Sequence, residues 1–124
     1  MKKTLMIAAA VAFMMSGFVA TEAVAGPEGK CKACHNFTMK DKVGPHLQGV
    51  VGRAAGKSGF KKHSKALKNA NWTWDEDHLR KWICNSKDAI KEFTGDPKAR
   101  TKMPPQKMCG AKGDAVIAFL KSIS

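Results

Sequence analysis

Cys31-Lys32-Ala33-Cys34-His35 is the stretch of this 124-residue chain that carries a recognisable chemistry. Two thiols separated by two residues and followed at once by a histidine form the C-x-x-C-H signature of covalent haem attachment. Each thiol adds to one haem vinyl group, and the next residue directs its imidazole to the iron as an axial ligand. The pattern therefore predicts one covalent haem c, attached through Cys31 and Cys34, with His35 on the iron.

Three other roles for these cysteines agree less well with the sequence. A thioredoxin-like redox pair needs a preceding strand and a βαβ frame, and neither pattern is present. A zinc site built from Cys31, Cys34, Cys84 and Cys109 lacks the usual second C-x-x-C spacing. A plain disulfide between Cys31 and Cys34 would leave His35 without a purpose. We therefore favour haem attachment.

The N-terminus has the pattern of a secretory signal peptide. Lys2-Lys3 precedes an apolar stretch from Leu5 to Ala20, and Ala23-Val24-Ala25 is a small-x-small cleavage signal. We expect a signal peptide at 1–25 and one small domain at 26–124. An uncleaved membrane anchor is the alternative, although the apolar stretch is shorter than the ~20 residues of a spanning helix. Export to a periplasm permits disulfides.

The composition is that of a small globular domain with a basic surface. Apolar residues make up 44% and charged residues 26%, with 22 Lys and Arg against 10 Asp and Glu, a net charge of +12. These values exclude a disordered or fibrous chain, and the length excludes a Rossmann domain, a barrel or a two-domain enzyme. No groove-reading motif accompanies the charge, so we expect acidic protein partners and no nucleic acid.

The hydrophobic pattern predicts an all-α chain of about three helices joined by long loops. No run of residues alternates like a strand, and five glycines mark 43–60 as a turn-rich loop. Short helices are expected near 64–69 and within 87–95. Loops this long normally wrap around something, which agrees with a bound haem.

Two stronger helices are predicted from their caps and apolar stripes. Thr73 with Glu76 three residues later forms a capping-box pattern, and Asp114 is placed to cap a final helix. Their buried faces are expected at Leu79, Trp82, Ile83, Val116, Ile117, Leu120 and Ile123.

The sixth iron ligand decides whether the haem is closed to substrates. A methionine there raises the reduction potential and leaves no open position. Met39 lies only four residues past His35, too near to reach the opposite haem face, whereas Met103 lies in a polar, proline-stiffened loop at 101–105. Met108 competes with Met103 on spacing alone. His46, His63 and His78 are alternatives that would give bis-histidine ligation.

The sequence resembles the class I cytochromes c, most closely the soluble bacterial c2 subgroup. The resemblance covers nearly all of 30–124 and implies an all-α class I fold of helices and long loops wrapped around one haem. It implies a mono-haem one-electron carrier, not an enzyme, that links a membrane or periplasmic donor to an oxidase, reductase or photosynthetic reaction centre. Besides the attachment motif it rests on Val43–Arg53, Gly59-Phe60, Thr73-Trp74, Gly95–Met103 and Val116–Lys121.

The same resemblance implies roles for individual residues. Met103 would be the distal ligand, and the Pro45 carbonyl would accept the Nδ1 proton of His35 and fix its tautomer. Phe119 would occupy the usual aromatic position of the last helix. The haem propionates would be held by Arg53, Trp74 and Thr101.

The resemblance also implies how the protein meets its partners. Lys30, Lys42 and Lys102 match positions that ring the exposed haem edge, where redox proteins dock, and Lys107 joins them. We expect a monomer without stable membrane insertion after signal cleavage. A haem enzyme or gas sensor with a labile sixth ligand is the alternative, as is a cytochrome subunit of a larger oxidoreductase.

The sequence departs from that family in three respects. The N-terminal helix is shortened, because only five residues separate the expected cleavage site from Cys31. Trp82 stands where a tyrosine often hydrogen-bonds the methionine sulfur, and His63 stands near another usual tyrosine. Cys84 and Cys109 are additional, and we expect either a disulfide between them or two buried free thiols.

Overall fold

The computed structural model describes residues 26–124, so the signal peptide expected at 1–25 lies outside the described residues. Within 26–124 the chain is helical, with a single isolated bridge between Ala54 and Thr73 and no strand, as predicted. No helix in this range is long and apolar enough to cross a membrane. The elements are a 3₁₀ helix at Pro27–Ala33 and four α-helices, α1 (Lys65–Lys68), α2 (Glu76–Cys84), α3 (Ser86–Thr94) and α4 (Gly110–Ser122).

The N-cap of the second α-helix lies two residues after its predicted position. Asp75, in extended backbone, accepts a hydrogen bond from the His78 N–H at 2.8 Å and is the N-cap. The capping-box prediction at Thr73 is wrong because Thr73 takes part in the bridge to Ala54. The predicted buried stripe of α2 is confirmed at Leu79, Trp82 and Ile83.

The junction between α2 and α3 is a single residue. Asn85 ends α2 and also caps α3, since its side-chain oxygen accepts the Asp88 N–H at 3.1 Å. α3 then ends at Gly95, whose φ of 71° lies in the left-handed region that glycine tolerates. The two helices therefore meet at a tight corner.

The last helix begins before Asp114, so the predicted cap at Asp114 is wrong. Helix α4 starts at Gly110, after the extended residue Cys109. A Cβ on Gly113 would lie 2.7 Å from the Met108 carbonyl oxygen, so the absence of a side chain lets this turn pack closely against the preceding segment. Asp114 instead pairs with Arg80 at 3.1 Å and joins α4 to α2.

The short 3₁₀ helix packs against α4. A seven-residue segment therefore occupies the place of the N-terminal helix that the sequence indicated to be shortened. Phe37, just after it, meets Phe119 of α4 edge to face, with ring centroids 4.6 Å apart. The predicted faces of α4 are buried at Val116, Ile117 and Leu120.

Two cysteines join the end of α2 to the start of α4. The structure pairs Cys84 with Cys109, whose Cα atoms are 4.6 Å apart. Two backbone hydrogen bonds lie beside this pair. The Lys107 N–H donates to the Cys84 carbonyl at 3.1 Å, and the Met108 N–H donates to the Ile83 carbonyl at 3.0 Å. The segment before α4 is thus held along the end of α2.

Candidate cofactor site

The helices and the glycine-rich loop surround a cavity of about 340 Å³. This volume is in the range of sites for small molecules and cofactors. Apolar side chains from α1, α2 and α4 form much of its wall, among them Leu67, Leu79, Ile83 and Leu120. The polar groups that the sequence singled out reach the same cavity, and they are Cys31, Cys34, His35, Arg53, Trp74, Thr101 and Met103.

The histidine of the pentapeptide is prepared for metal binding. His35 Nδ1 lies 2.6 Å from the Pro45 carbonyl oxygen. A carbonyl can only accept, so Nδ1 carries the proton and Nε2 keeps a free lone pair. Burial, more than any other influence, lowers the pKa of His35, so the imidazole is neutral at pH 7, the form that binds a metal. The predicted contact of Pro45 with His35 is present.

A close backbone approach supports the same imidazole. Gly44 donates its N–H to the Cys34 carbonyl at 2.6 Å, which brings the loop against the attachment motif. A Cβ at Gly44 would lie 2.5 Å from His35 Cε1, so only glycine leaves room for the ring. Any side chain there would displace His35.

The two thiols of the motif are free. Cys31 is half-buried and Cys34 is exposed, and neither is paired in the structure. The N–H groups of Cys34 and His35 both donate to the Cys31 carbonyl, at 3.1 and 2.9 Å, so one tight turn sets the spacing of the motif. Burial first, and Glu28 second, raise the pKa of the Cys31 thiol. Because neither sulfur is paired, both are available for thioether bonds.

Met103 lies on the loop between α3 and α4 and is held by three hydrogen bonds. Its Sδ accepts the indole N–H of Trp82 at 3.1 Å, and its carbonyl accepts the Ser86 hydroxyl at 2.7 Å. Its own N–H donates to Thr101 Oγ1 at 3.3 Å. The sulfur, the carbonyl and the amide of one residue are each fastened.

Most of the other candidates for the sixth iron ligand do not reach the cavity. Met108 is buried in the hydrophobic core and Met39 is 67% exposed, and neither is among the described residues that line the cavity. His46 is bound to Asp41 at 2.7 Å and His78 to Asp75 at 2.9 Å. Of these alternatives only His63 lines the cavity, where its Nε2 is buried without a hydrogen-bond partner in the described part of the chain.

The three residues proposed for the propionates share one cavity. The guanidinium of Arg53 donates to the His46 carbonyl at 3.0 Å, so this contact uses a carbonyl and no carboxylate. Trp74 is buried, and Thr101 lies two residues before Met103 on the loop between α3 and α4. A half-buried cation and the unpartnered nitrogen of His63 suit an acidic group of a bound molecule.

The available donors fit a covalent haem c and do not fit zinc. Two free thiols, a neutral imidazole and a thioether reach one largely apolar cavity, which is the ligand chemistry of haem iron. Cys84 and Cys109 are paired with each other and are withheld from a zinc site. Across residues 26–124 no three side chains of His, Cys, Asp or Glu gather as a metal cluster.

Lysines stand at the mouth of the cavity. Lys30 and Lys102, which the sequence indicated, both line it, whereas Lys42 is exposed outside it with its Nζ bound to the Lys32 carbonyl at 2.7 Å. Lys62 also lines the mouth, and its carbonyl accepts Lys102 Nζ at 3.0 Å. Sequence reasoning missed Lys62 because it resembles the other lysines of a basic loop.

Comparison with known proteins gives consistent similarities, although no family model matches the chain. Cytochrome c2 of Cereibacter sphaeroides is 32% identical over 116 residues, which cover 83% of this chain and 94% of that protein. Cytochrome c2 of Rhodospirillum rubrum is 35% identical over 99 residues, covering 76% and 88%. The solved structure of ferricytochrome c2 from Rhodopseudomonas palustris has a TM-score of 0.71 at 25% identity, covering 79% of this chain and 93% of that one.

Proposed function

Because this chain belongs to the class I cytochromes c, in the c2 subgroup, we propose that it is a one-electron carrier of the bacterial periplasm. It has the all-α class I fold, carries one covalent haem c and is not an enzyme. Residues 1–25 act as a signal peptide that is removed, and 26–124 form the cytochrome domain. The haem, when bound, supplies an iron that gains and loses one electron.

The single observation that carries this proposal concerns the two axial ligands. His35 and Met103 line one cavity, and each is already oriented by its own hydrogen bond, from His35 to Pro45 and from Trp82 to Met103. With both side chains oriented in this way, the imidazole of His35 and the thioether of Met103 would hold the iron of a bound haem. A site closed in this way has no position for a substrate, and its role is electron transfer through the exposed edge.

The remaining cavity residues hold the cofactor in place. Cys31 and Cys34 form the thioether bonds that prevent its loss. The half-buried guanidinium of Arg53 would pair with the acidic groups of the haem, and the indole N–H of Trp74 and the hydroxyl of Thr101 would be further donors. Together these side chains would fix the position of the haem in the cavity.

Partners meet the protein at its lysine-rich edge. Lys30 and Lys102 at the cavity mouth and Lys42 outside it attract acidic surfaces. The net charge, +12 for the full chain and +11 once Lys2, Lys3 and Glu22 are removed with the signal peptide, strengthens the attraction at long range. Such docking is fast, weak and sensitive to salt, which suits a monomeric carrier that must leave after each electron. The donor is a membrane or periplasmic enzyme, and the acceptor is an oxidase, a reductase or a photosynthetic reaction centre. Neither nucleic acid nor stable membrane insertion takes part.

The test is the absorption spectrum of the haem-loaded protein in both oxidation states, with and without carbon monoxide. We expect a low-spin spectrum with the weak far-red band of methionine–iron ligation, unchanged by carbon monoxide. Met103→Leu should lose that band and admit carbon monoxide, while Met108→Leu should keep it. A wild-type protein that is high-spin or binds carbon monoxide readily would contradict the carrier and support a gas sensor or haem enzyme.

A further inference from the structure

Ser86 is a buried hydroxyl with an unusual partner. It is the first residue of α3, its exposed fraction is 0%, and its Oγ donates to the Met103 carbonyl oxygen at 2.7 Å. A hydroxyl buried this completely needs a protein partner, since water does not reach it. That partner lies 17 positions along the chain, on the loop that brings Met103 into the cavity.

Met103 is therefore fastened to the α2–α3 corner at two points. Trp82, near the end of α2, holds the sulfur, and Ser86, at the start of α3, holds the carbonyl. The two donors lie four residues apart, on either side of the shared cap Asn85. Pro104 adds a third restriction, because the residue before a proline is confined to extended backbone.

We propose that Ser86 is a positioning residue that keeps the Met103 sulfur in ligating position by holding the backbone of the same residue. This inference rests on the proposed function, in which Met103 binds the iron. The Trp82 bond acts on the side chain alone, and the side chain turns with its peptide. When the carbonyl is released, the peptide can rotate to seek another donor, and the sulfur moves with it.

The consequence is a change in how easily another ligand replaces the sulfur. In Ser86→Ala the Met103 carbonyl loses its donor, so states in which Met103 has left the iron become more populated. Imidazole binds the iron only when the Met103 sulfur has left it. A larger fraction of the variant is therefore able to bind imidazole. We expect apparent imidazole affinity of the oxidised protein to rise about three- to tenfold, the range that one hydrogen bond supplies.

The experiment uses the haem-loaded protein and compares wild type, Ser86→Ala and Ile90→Val. Ile90 lies on the same helix and is equally buried, and its truncation removes one methylene from the core but none of the hydrogen bonds of Met103. Imidazole is titrated against each oxidised protein, and the far-red band and the thermal midpoint are recorded beside it. Ser86→Ala should bind imidazole more tightly, while Ile90→Val should match wild type in affinity at a similar loss of thermal stability.

The outcomes separate the two proposals. A wild-type spectrum without the far-red band would remove Met103 from the iron and overturn the proposed function itself. A wild-type protein with the band, and a Ser86→Ala variant with wild-type imidazole affinity, would overturn the role of Ser86 alone. An equal increase in imidazole affinity in Ser86→Ala and Ile90→Val would also overturn the role of Ser86, because it would reflect general destabilisation of the fold.

Discussion

The indole N–H of Trp82 donates a hydrogen bond to Met103 Sδ across 3.1 Å. An N–H that donates to the sulfur draws electron density from the lone pairs that would otherwise serve the iron. In the proposed site, where Met103 binds the iron, this loss would weigh most on the electron-poor oxidised state, so the bond would favour the reduced state. We therefore expect the tryptophan at this position to act on the reduction potential.

Replacing Trp82 with phenylalanine should lower the reduction potential by about 20–60 mV, which corresponds to a difference of roughly 0.5–1.5 kcal/mol in the strength of this bond between the two states of a one-electron couple. Trp72→Phe is the matched control. Trp72 is buried in the same aromatic cluster, 5.9 Å from Trp74 between ring centroids, and its Nε1 has no partner among the described residues. Redox titration of both variants checks the prediction, and an equal shift in both would contradict it.

The Cys84–Cys109 pair should stabilise the domain once the protein reaches an oxidising compartment. The two cysteines close a loop of 25 residues, which suggests about 3–4 kcal/mol in the chain-entropy model. We expect the double variant Cys84→Ala/Cys109→Ala to lose stability of that order in denaturant unfolding of the haem-loaded protein. Thiol counting by mass spectrometry of the non-reduced wild type should show neither cysteine free; two free thiols would reject the disulfide.

Asp41 should make stability depend on pH in acid. Its carboxylate accepts hydrogen bonds from the side chain and the backbone of His46, at 2.7 and 3.0 Å, and these bonds lower the pKa of Asp41. A lowered pKa stabilises the fold fully above the pKa of an unfolded Asp, about 3.9. This contribution is lost as the pH falls through the lower value of the folded state.

Asp41→Asn should therefore be less stable than wild type at pH 7, with the difference shrinking below about pH 4. Denaturant unfolding at a series of pH values measures this. Asp77→Asn is the control, since the Asp77 side chain is 94% exposed. If the free energies of unfolding of wild type and Asp41→Asn differ by a constant amount from pH 7 into the acid range, the stability is not linked to protonation of Asp41.

Charge reversal at the cavity mouth should slow electron transfer with anions. We expect Lys30→Glu and Lys102→Glu to reduce the rate at which ferricyanide, a trianion, oxidises the reduced protein, and to reduce its dependence on ionic strength. Lys112→Glu on α4 changes the net charge equally but is not among the lysines that line the cavity. Stopped-flow rates that fall equally in all three variants would assign the effect to net charge alone.

Local spacing explains what could be predicted from the sequence. The attachment motif sets its own geometry through one turn, and the buried stripe of α2 follows from helical periodicity, so both needed no tertiary information. The caps at Thr73 and Asp114 were wrong because neighbouring polar residues compete, and tertiary contacts decide among them. Thr73 bridges to Ala54, and Asp114 pairs with Arg80.

Residues that act at a distance were missed for a physical reason. Ser86 and Lys62 meet partners 17 and 40 positions away in the chain. Nothing in the residues beside them indicates those contacts, since a serine at a helix start and a lysine in a basic loop are ordinary. The choice between Met103 and Met108 likewise depended on which of the two reaches the cavity.

The one-residue junction at Asn85 limits which length changes this protein tolerates. Asn85 is both the C-cap of α2 and the N-cap of α3. No loop residue therefore separates the two helices that carry the donors Trp82 and Ser86. Inserting one residue between them would turn the second donor by about 100° around the helix axis and shift it by about 1.5 Å. Any such insertion would break the hydrogen bond to either the sulfur or the carbonyl of Met103. Sequences that keep the Met103 loop must therefore also keep the length of the α2–α3 corner.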